Sequence, residues 1–245
     1  MIDLLAAEIL KLRTTRTMGW LLLAMVAITG LAVTGAFVLA SNANLDLQSD
    51  HGVRTVLHVS ASGALFVLVL GAIISAGEYR HRTATDSFLT TPRRWRVVTA
   101  KLVTAAGAGV VFGALSAGSA LAIAAHLYAL KGYTFPLSSS EAWQILAGAI
   151  LYASLLGALG AATGSLVRNQ VAAIVGWLVW LLLAENIVVS LVPDIGRWLP
   201  GAAGRGLVMD PNGDFLAQPV AAVVLASYAV VIAVAAIAIE RRRDA

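Results

Sequence analysis

Residues 171–192 read VAAIVGWLVWLLLAENIVVSLV, and Glu185 is their only charge. A helix of about 20 residues rises about 30 Å, the thickness of a bilayer's hydrocarbon core. The run is continuously apolar, whereas strands of a membrane barrel alternate apolar and polar positions over about ten residues. It therefore reads as a membrane-crossing helix. Five more stretches read the same way: 18–40, 56–77, 97–130, 142–167 and 215–239. The third exceeds one straight crossing, so it should tilt or extend into water. The expected fold is all-α, a polytopic membrane protein with six spans in a single transmembrane domain over 1–245. The first span is longer than a cleavable signal's apolar core of about 7–15 residues and follows a helical lead-in, so it is expected to be retained.

The composition agrees. Hydrophobic residues make up 59% and charged residues 12% of the chain, and mean hydropathy is +0.85. Ordinary globular domains carry about 25% charged residues. A soluble domain and a disordered chain are both excluded. Cysteine is absent, which removes disulfides, thiolate metal sites and cysteine nucleophiles. Asp46, Asp50 and His51 lack the spacing of a metal site.

The positive charges set the expected orientation. With six spans, Lys11, Arg13, Arg16, Arg80, Arg82, Arg93, Arg94, Arg96, Lys101, Arg168, Arg241, Arg242 and Arg243 fall on one side. Of the 17 basic residues, Arg54, Lys131, Arg197 and Arg205 fall on the other. This bias puts both termini in the cytoplasm and makes the high pI a topology signal, not a nucleic-acid patch. Trp20 and Trp95 fall at the inner boundary, and Tyr128, Tyr133, Trp143 and Trp198 at the outer one, as interfacial belts do.

Three polar features stand out. In 1–17, Ile2, Leu5, Ile9 and Leu12 recur at helical spacing, with Asp3, Glu8, Lys11 and Thr15 on the opposite arc. Glu8 and Lys11 are spaced to pair. This predicts an amphipathic interfacial helix, with Arg13 and Arg16 reaching lipid headgroups; an ordinary polar lead-in is the plainer reading. In 78–96, Thr83-Ala84-Thr85-Asp86 fits a capped helix start, Phe88 and Leu89 put apolar surface on a water-facing loop, and Pro92 stops the helix. A docking knob for a cytoplasmic partner is expected there, while the arginines alone serve topology and anionic lipid. The third feature is Glu185, which should face the bundle or a wet cavity. It either lines a translocation path or packs a helix contact.

Gly109 with Gly113 and Gly160 with Gly164 permit close helix contact, with Gly107, Gly118 and Gly157 beside them. The outer segment 193–214 interleaves proline and glycine with apolar residues, which fits short half-helices on the surface or re-entering the bundle. The tail 240–244 reads as a stop-transfer anchor.

The order of these parts resembles the type-two permease subunits of ATP-binding-cassette transporters. The residues that carry the resemblance are Glu8-x-x-Lys11-x-Arg13-Thr14, then Glu78-Tyr79-Arg80-x-x-Thr83, then Leu89, Pro92, Arg93-Arg94-Trp95 and Lys101. It covers the whole chain in layout and about 40 residues in motif. It implies that Glu78, Arg80, Thr83, Asp86, Phe88 and Leu89 form a coupling segment that docks on a nucleotide-binding subunit. It implies a second permease, identical or homologous, with substrate moving between the two, most often outward. ATP and magnesium then belong to the partner ATPase, since no Gly-x-x-x-x-Gly-Lys-Ser/Thr occurs here. The residue usage suggests a bacterium with GC-rich DNA, and hence its cytoplasmic membrane. Two other classes compete. An ion-coupled carrier needs several intramembrane ionisable groups or an internal repeat, and Glu185 stands alone. An intramembrane enzyme needs paired catalytic groups, and none is evident within the spans.

Overall fold

The computed structural model describes residues 1–80, 94–136 and 139–242. Among the described residues the chain is predominantly helical, with no strand, and six helical stretches are long and apolar enough to cross a membrane. It is a multi-pass membrane protein by length and composition.

Helix α1 (Ile2–Thr14) ends at Thr15, whose extended backbone makes an elbow before α2 (Arg16–Asn42). The hydroxyls of Thr14 and Thr15 donate back to the carbonyls of Leu10, Lys11 and Leu12, which gives α1's last turn the partners a helix end lacks. Helix α2 buries Met25, Thr29, Val33 and Phe37, one face at four-residue steps. The next span is not a uniform helix. It begins with α3 (Asp50–Leu57), capped by Ser49, passes through a 3₁₀ stretch (His58–Gly63), and continues as α4 (Ala64–Arg80). The tightened stretch draws polar groups into the bundle. Ser116 donates to the Ser60 carbonyl at 2.7 Å, and Thr29 joins the hydroxyls of Ser116 and Ser62.

Helix α5 (Arg94–Leu130) is one helix of 37 residues, about 55 Å long at 1.5 Å per residue, longer than the roughly 30 Å of a hydrocarbon core. Helix α6 (Ser140–Val167) is the centre of the bundle, packed between α4 and α5. Arg168 then adopts a left-handed backbone, φ 56°, and closes α6 by donating its N–H to the Gly164 carbonyl. The fifth span runs as α7 (Gln170–Val179), a π-helical stretch (Trp180–Ala184) and α8 (Glu185–Leu191). Two short helices follow, α9 (Pro193–Gly196) and α10 (Pro200–Leu207), each with proline in its first turn, before α11 (Gln218–Arg242). The half-helices expected in 193–214 are therefore present.

The glycine pairs explain the central contact. A Cβ on Gly160 would lie 2.1 Å from the Leu68 carbonyl oxygen of α4, and one on Gly109 would lie 2.5 Å from the Ala153 carbonyl oxygen of α6. Backbones meet directly at these points, which only a missing side chain allows. Gly107 and Gly118 border open space and take no part.

Glu8 departs from the solvated arc on which the helical spacing puts it. Glu8 is buried at 6% exposure beside Leu12, while Ile9 is 48% and Leu10 63% exposed. The reason is the surface α1 packs on, which presents a lysine and a glutamate beside the apolar groups that bury Leu12.

Gly160→Val should fail to give a monodisperse protein on gel filtration, because the contact is backbone to backbone and cannot yield by a rotamer change. Gly118→Val, on the open side of α5, should elute like wild type.

Candidate functional site

The surface under α1 is a ring of four charges. Lys101, on α5, is 4% exposed. Its Nζ lies 2.8 Å from Glu78 Oε1 and 3.3 Å from Glu8 Oε2, and donates to the Ile74 carbonyl at 3.2 Å. Lys11 closes the ring, donating to Glu8 Oε1 at 2.8 Å and Glu78 Oε1 at 2.7 Å. A buried charge is tolerable only when paired and hydrogen-bonded, and Lys101 has two carboxylates and a carbonyl. Burial pulls the Lys11 ammonium toward its neutral form, but the hydrogen bonds and charges of Glu78 and Glu8 outweigh this and raise its pKa. The ring has no net charge. It joins three elements: α1, the last turn of α4 and the second turn of α5.

Those elements bracket residues 81–93. Of the predicted coupling residues, the structure brings Glu78 into the ring. Thr83, Asp86, Phe88 and Leu89 lie outside the described residues, as does the side chain of Arg80 at the end of α4. Of the predicted interfacial residues, Glu8 and Lys11 are in the ring, and Arg13 and Arg16 are exposed near the elbow. Lys101 is the member whose pairing sequence reasoning missed, having weighed it for orientation and for the family resemblance. Its place inside the apolar run 97–130 is the signal that a carboxylate partner must exist.

Other polar contacts sit at the same end of the bundle. Arg168 donates to Glu240, so the tail's acid is tied to the α6–α7 turn, and the Arg241 guanidinium lies 5.0 Å from the Trp95 ring centre.

Glu185 sits elsewhere. It is 3% exposed, and its Oε1 accepts the backbone N–H of Ala202 at the start of α10. A Cβ on Gly201 would fall 2.8 Å from the same oxygen, so glycine there lets the carboxylate reach the helix end. A carboxylate at a helix N-terminus satisfies free N–H groups and opposes the positive end of the helix dipole. The next residue is used too. Asn186 donates to the Leu181 and Leu182 carbonyls of the π-helical stretch and accepts from Arg205 on α10. Glu185 and Asn186 thus fasten α10 to the fifth span, and Tyr152 of α6 packs where a Cβ on Gly204 would be.

No protein-family model matches the chain, and no curated protein matches it.

Lys101→Met should lower stability by on the order of 3 kcal/mol, the usual result of stripping one partner from a buried pair. A thermal double-mutant cycle with Glu8→Gln should be clearly non-additive, since the two share one contact. In the other cluster, Glu185→Leu leaves the Ala202 N–H without its acceptor and should cost about 1–3 kcal/mol. Glu185→Gln keeps an oxygen in place and should melt closer to wild type.

Proposed function

We propose that this chain is the membrane-spanning subunit of an ATP-driven transporter of the type-two permease kind, working as an exporter in a bacterial cytoplasmic membrane. In this reading it carries no catalytic residues. Separate ATPase chains hydrolyse ATP on the cytoplasmic side, and two permeases, identical or homologous, enclose the substrate path. The observation that carries the reading is the four-charge ring. It ties α1 to the two helices that flank residues 81–93, the segment whose Phe88 and Leu89 need a partner to cover them. A push on that segment would then reach α4, α5 and the interfacial helix together. The 13-to-4 division of basic residues supports a cytoplasmic position for this end. Ile9 and Leu10, exposed on α1, suit contact with the inner leaflet.

The test is the pair of apolar side chains. Burying a phenylalanine is worth about 1.5–3 kcal/mol, so the double variant Phe88→Ala/Leu89→Ala should weaken capture of the ATPase subunit by about tenfold or more. ATP hydrolysis by the complex should fall with it, while insertion and melting temperature stay near wild type. Arg93→Ala should do much less. Unchanged capture and hydrolysis in the double variant would remove the docking role.

A further inference from the structure

We propose that the cavity between α1, α4 and the start of α7 binds a phospholipid whose headgroup carries both a phosphate and a primary amine. The cavity measures about 580 Å³, within the range of sites that hold small molecules, about 300–1,000 Å³. It is amphipathic along its length. Lys11, Glu78, Thr17 and Gln170 line one end, and Leu70 and Ile73 the other. From Leu70 to Glu78 the wall descends about 12 Å along α4 at 1.5 Å per residue. Its polar end lies where one crossing helix begins after the elbow, another ends and a third starts. That is the depth of lipid headgroups, and the apolar end is the depth of the chains.

The headgroup follows from the charges. An ammonium has three donors, and Lys11 uses two of them on Glu8 and Glu78. Its side chain is 51% exposed, so the third is available to a phosphate oxygen. The lysine contacts to Glu78 fall on Oε1. Among the described residues no ion pair falls on its Oε2, which is the acceptor left for an incoming N–H⁺. A zwitterionic head matches a ring with no net charge. A choline head has no N–H to give Glu78, and a glycerol head brings no cation to it. The site does not depend on the transport reading and is tested without an ATPase.

Native mass spectrometry of the full chain in detergent supplies the measurement, with phosphatidylethanolamine, phosphatidylcholine and phosphatidylglycerol as probes. One phosphatidylethanolamine per chain should be retained, about fivefold or more over either other lipid, as one or two lost hydrogen bonds imply. Ile73→Trp fills the apolar end without touching a charge and should cut retention about fivefold, as should Lys11→Gln at the polar end. If Lys11→Gln does not fold, the Ile73→Trp result decides. Chain-free phosphoethanolamine at equal concentration should not displace the lipid, since it leaves Leu70 and Ile73 uncovered. Equal retention of the three lipids, or full retention by a monodisperse Ile73→Trp, overturns the site. Displacement by phosphoethanolamine overturns the lipid and assigns the cavity to a soluble zwitterion.

Discussion

Inside a bilayer an apolar contact gains little, because a lipid chain is as good a neighbour as a leucine, and every polar group must find its partner within the protein. That constraint organises this molecule. Its central helices are joined where side chains are missing, as at Gly160 against Leu68 and Gly109 against Ala153, so that backbone dispersion replaces the absent hydrophobic drive. At two disturbances of the helical ladder a nearby side chain supplies a partner. Ser116 serves the 3₁₀ stretch at Ser60, and Asn186 serves the π-helical stretch at Leu181 and Leu182. Two ionisable groups that an apolar medium would reject, Lys101 and Glu185, are each held by bonds to more than one element or to a helix end.

The same accounting explains why α10 exists as a separate half-helix. Its N-terminus would present unpaired N–H groups and a partial positive charge to the interior, which is unfavourable without an anion. Glu185, in the fifth span, supplies it. The π-helical stretch directly before Glu185 adds a residue to the turn and so alters the bearing of everything after it. Proline at the first turn of α10 removes one N–H that would otherwise need an acceptor. A carboxylate, a helix irregularity and a proline thus solve one problem together.

What the sequence reveals and what it conceals divide along this physics. Six runs of apolar residues need only length and composition to be read, and the spans at 18–40, 142–167 and 171–192 fall within two residues or so of the helices found. Proline and glycine in 193–214 announce short helices because their backbone preferences are local. The pairing of charges is not local. Glu8 and Lys101 are 93 positions apart, and helical periodicity assigns Glu8 to a solvated arc because it contains no information about the surface α1 will meet. Glu185 is conspicuous in its run, but its partner is a backbone N–H, and a backbone donor leaves no trace in residue identity. The break at 58–63 hides for a similar reason, since Ser and Gly are also common in unbroken membrane helices.

The unequal packing of the spans bears on how force would travel in the proposed transporter. The window of α6 that suits a membrane is 67% buried and that of the α3–α4 span 61%, against 22% for α2 and 17% each for the fifth and sixth spans. Helices whose backbones touch cannot slide without collision, so the closely packed α4, α5 and α6 would move as one piece. Helices covered mainly by lipid have no such restraint. The four-charge ring fixes α1 to the core rather than to α2, and the Thr15 elbow is the single extended residue between them. A displacement delivered through residues 81–93 would therefore carry the core and α1 together and be taken up at the elbow and at the loosely packed α2, fifth and sixth spans. Glu185 extends that division to the opposite half of the bundle, because it binds α10 to the fifth span while Tyr152 lodges the same half-helix against the core.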